Sequence, residues 1–153
     1  ILGSGSQWEL YILSMCLITD VELSPDDAVE LDADAVRVRA TSLLRDILSD
    51  PAPRQRDIPT IMAFVAAVGL SVVAAEDAAP DRRAVGAELV ATALAVGTNQ
   101  TCRLLSHDYL HSRTEQLDAR ALAQAEVRIR LLDRGELVAH AADLAGRLAG
   151  EVG

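Results

Sequence analysis

From residue 58 to residue 75 the chain reads IPTIMAFVAAVGLSVVAA, without one charged side chain. A membrane-spanning helix needs about 20 apolar residues, so this run lies near that limit. Acids cluster beyond its C-terminal side, no aromatic belt marks its ends, and membrane insertion is not expected. The pattern instead predicts a helix surrounded on all sides by other helices. The next stretch, AVGAELVATALAVG, keeps a helical stripe through Val85, Leu89 and Val96, while Gly86 and Gly97 thin it so that a neighbour can approach. Together the two segments predict a central apolar hairpin rich in Ala, Val and Leu.

The flanking segments are more polar. QWELYILSMCLITD predicts a buried helix, although LYILSMCLI also suits a strand. SPDD, residues 24–27, has the form of a helix start or turn. VELDADAVRVR alternates like a strand, yet Val29, Ala33, Val36, Ala40, Leu43 and Ile47 also fit helical spacing, and a helix is predicted over 33–48. Three prolines within residues 50–59 predict a loop. The polar run TNQTC, residues 98–102, suits a bend or a continuing helix. Thr114 is the predicted cap of a helix whose apolar face is Leu117, Ala121, Ala125, Ile129 and Leu132, with Gly135 as its stop. A last helix over 136–149 would pack on Leu137, Ala141, Leu144 and Leu148. The expected class is all-α: a compact bundle of about six helices. Residues 1–6 read as a linker or cloning remnant and residues 7–153 as a single helical domain.

Composition sharpens this picture. Half of the 153 residues are hydrophobic but only 3% are aromatic, so the core must be built from Ala, Val, Leu and Ile, which suits closely packed helices. Net charge is −9, and residues 1–36 hold eight acids and no arginine. An acidic chain with no basic run repels phosphate backbones, so nucleic acid is not an expected partner. All fourteen basic residues are arginine, a bias that fits a GC-rich bacterial coding sequence. Without lysine there can be no Schiff base and no P-loop lysine. Cys16 and Cys102 lack CxxC spacing and fit free thiols in a reducing cytoplasm.

Candidate chemistry is sparse. His107 and His111 stand one helical turn apart, and His140 sits at the edge of the last helix's apolar face. Three imidazoles from two helices could hold a divalent transition metal (Zn, Ni or Fe) with a position left open for water or substrate. The plainer expectation is surface or helix-capping histidines with no cofactor. No nucleotide-binding loop or nucleophile elbow is present in the sequence. The leading functional expectation is a non-enzymatic binding module (assembly, adaptor or regulatory), most simply a homodimer because its apolar segments offer surplus surface. Asp26, Asp27, Asp32 and Asp34 would face a basic protein partner, with Trp8 and Tyr11 as aromatic anchors. Two alternatives stand beside it: a metal-dependent enzyme on the three histidines, and a small-molecule receptor with an apolar pocket in which Asn99 and Gln100 orient the ligand.

Overall fold

Among the described residues, six helices occupy the segments that the apolar pattern marks out: α1 (Leu2–Glu22), α2 (Ala33–Leu48), α3 (Ile58–Ala74), α4 (Pro80–Val96), α5 (His107–Ile129) and α6 (Arg134–Val152). In this computed structural model the backbone is described for residues 2–22, 33–48, 58–75, 79–98 and 105–152, and side-chain surroundings for 9–19, 34–48, 58–75, 79–98 and 105–150. Among the described residues there is no strand, so LYILSMCLI is helical and α2 spans its expected range. The SPDD segment lies outside the described residues. α1 begins at Leu2, so residues 2–6 take helical backbone.

The charge-free helix α3 is the centre of the bundle, and every residue from Ile61 to Val73 is buried. It pairs most extensively with α4, while α4 also packs on α5 and α6, and α2 closes against α6. The α3–α4 contact is a backbone contact. A Cβ built on Gly69 would lie 2.6 Å from the Gly86 carbonyl oxygen, and one built on Gly86 would lie 2.9 Å from the Gly69 carbonyl oxygen and from Val72. Only hydrogen at both positions lets the two helices come this near. Gly86 therefore does what its place in the sequence suggests, with Gly69 as its unforeseen counterpart. Among the described residues, no helix is long and apolar enough to cross a membrane.

A proline and a glycine set where α4 starts and stops. Pro80 opens α4 at its first position, where the missing N–H costs nothing. Gly97 closes it at φ +114°, donating its N–H to Ala93 O at 3.0 Å. Arg134 of α6 then donates to Val96 O at 3.0 Å, tying the start of one helix to the end of another.

The sequence expectation for α5 needs three corrections. Ser106, not Thr114, caps the helix, its hydroxyl accepting the Tyr109 N–H at 3.3 Å. Thr114 is buried mid-helix and donates to Leu110 O at 2.8 Å. The restart comes at Asp118, which leaves helical geometry (φ −159°, ψ 78°) and accepts the Ala121 N–H at 3.0 Å as the cap of the second half. The chain folds back there. On an unbroken helix His111 and Glu126 would stand about 22 Å apart along the axis, yet His111 Nε2 lies 3.7 Å from Glu126 Oε2. Gly135 does not stop α5, which ends at Ile129. It falls in the first turn of α6, inside a capping box in which Asp133 Oδ1 accepts the Glu136 N–H at 2.8 Å and Glu136 Oε1 accepts the Asp133 N–H at 3.0 Å.

Candidate functional site

Two polar groupings beside α4 differ in kind. The first is a clamp inside the bundle. Glu88 lies in the middle of α4, its side chain only 10% exposed among Val85, Leu89 and Ala91. A carboxylate there would be costly to bury alone. It accepts from Arg128 Nε of α5 through Oε1 and meets His140 Nε2 of α6 through Oε2, both at 2.5 Å. One carboxylate thus joins three helices. Burial pushes the Glu88 carboxyl up, but the hydrogen bonds and charges of Arg128 and His140 more than offset it, so the group ionises below the ordinary glutamate range. Both oxygens are committed to partners, which suits a structural joint.

The second grouping rims a groove of about 540 Å³ between the end of α4, both halves of α5 and the start of α6. Its floor is apolar, formed by Leu94, Ile129, Leu132 and Leu137 with Ala91 and Ala95. The rim carries His107, His111, Glu126 and Arg130. The two imidazoles stand 6.2 Å apart and within 3° of parallel, as one-turn spacing on a helix dictates. His111 faces Glu126 at 3.7 Å, and His107 Nδ1 lies 3.7 Å from the exposed Asp108. The Arg130 side chain is exposed and makes no ion pair or side-chain hydrogen bond with another described residue. A groove of this size, with an apolar floor and a rim of ionisable side chains, has room for a small molecule.

The histidine trio expected from the sequence is not brought together as a ligand set. His107 and His111 share the groove, while His140 is held by Glu88 in the clamp. Among the described residues, no group of three or more His, Cys, Asp or Glu side chains is placed to hold a metal ion. Of the aspartates expected to face a partner, Asp34 is exposed and pairs with the buried Arg37, whose guanidinium also donates to Ser71 Oγ of α3 at 2.9 Å. Asp26, Asp27 and Asp32 lie outside the described residues, as do Asn99, Gln100 and the Trp8 side chain. Tyr11 packs edge-on against Phe64 with ring centroids 5.9 Å apart, contributing to the core surface. Glu88, Glu126 and Arg130 were not singled out by the sequence. A lone Glu within GAELVATALAV was the available signal for Glu88, since so apolar a face tolerates a carboxylate only with partners.

Fold and site together define an all-α bundle with an interhelical carboxylate clamp and an amphipathic groove at its side. Comparison with protein-family models, with characterised protein sequences and with solved structures finds no match.

Proposed function

We propose that this chain is a non-enzymatic helical binding module and that the groove between α4, α5 and α6 is where it binds. The observation that supports this is the groove's construction: an apolar floor of Leu94, Ile129, Leu132 and Leu137 beneath a rim of four ionisable side chains. Such a surface gains by covering its floor and selects by its rim. Ala95 is exposed within the lining, so Ala95→Trp should fill the groove without disturbing the core. In a thermal-shift screen of small apolar and amphiphilic compounds, wild type should be stabilised by a subset that leaves Ala95→Trp unmoved. Shifts of equal size in both proteins, or none in wild type, would contradict the proposal.

Self-association in a cytoplasmic setting belongs to the same proposal. Val127 is 61% exposed and Leu131, one turn on, is 93% exposed, an apolar edge beside the groove that a second copy could cover. Light scattering at micromolar concentration should give a dimer mass that falls to the monomer mass in Leu131→Asp. A monomer in wild type would remove this part.

A further inference from the structure

We propose that the groove's ligand is a small amphiphilic carboxylate, its apolar tail on the floor and its anionic head on Arg130. The inference rests on the reading of the groove as the binding site and adds the chemistry of what enters it. The floor offers four large aliphatic side chains and no hydrogen-bonding group, so it suits an alkyl or similar apolar tail. The head is chosen by the rim. Glu126 lies 3.7 Å from His111, an ion pair when that imidazole is protonated, and the exposed Arg128 nearby on α5 is committed to Glu88. Arg130 is the cation of the rim left without a described counterion, while His107 lies 3.7 Å from the exposed Asp108. A guanidinium presents paired N–H donors that match the two oxygens of a carboxylate, and a cationic head would meet repulsion at the same place.

The test is calorimetric titration of the whole chain with octanoate, octanol and octylammonium, which share a tail and differ in head charge. Octanoate should bind wild type about tenfold more tightly than octanol, the usual scale of one charge-assisted pair. Arg130→Gln should abolish that preference and leave octanol binding unchanged, while Glu126→Gln should keep it. Equal binding of octanoate and octanol, a preference for octylammonium, or a carboxylate preference that survives Arg130→Gln would each overturn the inference while leaving the groove as a binding site. No binding of any of the three, with apolar compounds likewise inert in the thermal-shift screen, would remove the groove as well.

Discussion

Gly69→Ala is expected to lower stability by about 2 kcal/mol net and the melting temperature by roughly 4–8 °C. The added methyl would have to occupy space 2.6 Å from the Gly86 carbonyl oxygen and 3.0 Å from Leu89 Cβ and Val90 Cγ2. A backbone carbonyl in the middle of a helix cannot swing aside, so α3 and α4 must separate along their length. Overpacking of this kind costs about 3 kcal/mol at its upper usual range, against which alanine returns up to about 1 kcal/mol of helix propensity. Gly86→Ala should behave similarly, since its methyl meets the Gly69 carbonyl and Val72 at 2.9 Å. Gly146→Ala is the control of opposite sign. Its Cβ meets nothing within 4 Å, so only the propensity gain remains and stability should rise by up to about 1 kcal/mol. Urea unfolding of the three variants reads these effects, and a neutral Gly69→Ala would mean that the helices do not approach so closely.

Glu88→Ala is expected to cost about 2 kcal/mol at neutral pH, less than the full penalty for breaking a buried ion pair because Arg128 and His140 can turn to water once released. The pH dependence is more diagnostic. Because the folded-state carboxyl ionises below its ordinary value, the unfolded chain takes up the proton first as pH falls. The stabilisation is therefore complete above the ordinary glutamate range and is lost as pH drops through the lower, folded-state value. Glu88→Gln removes this titration while keeping the side chain's shape. The stability gap between wild type and Glu88→Gln, followed by urea unfolding as pH falls through the glutamate range, should narrow. A gap that does not change with pH would show that the charge of Glu88 contributes nothing to holding α4, α5 and α6 together.

Elements whose cause is local were legible in the sequence. The charge-free run became the buried helix α3, and Leu137, Ala141, Leu144 and Leu148 form the buried face of α6 as their spacing requires. The 33–48 helix prevailed over its strand-like alternation because Ala40, Leu43 and Leu44 all reach the core on one helical face. What escaped depends on the chain meeting itself. Asp118 sits among good helix formers with no Gly or Pro beside it, so nothing in the sequence announces that α5 folds back there. Without that turn, Glu126 has no reason to meet His111. The box formed by Asp133 and Glu136 was readable in principle, but Gly135 between them imitates a helix stop. Glu88 and His140 are separated by 52 residues, and their pairing follows only once α4 and α6 are known to pack.

The central claim, that the groove is the binding surface, is tested most directly by methyl-resolved NMR during titration with octanoate. Resonances of Leu94, Ala95, Ile129, Leu132 and Leu137 should shift together and saturably, those of α1 and α2 should stay still, and Ala95→Trp should show no such response. Shifts centred on another face of the bundle, or groove methyls that stay fixed while the ligand binds, would contradict the claim.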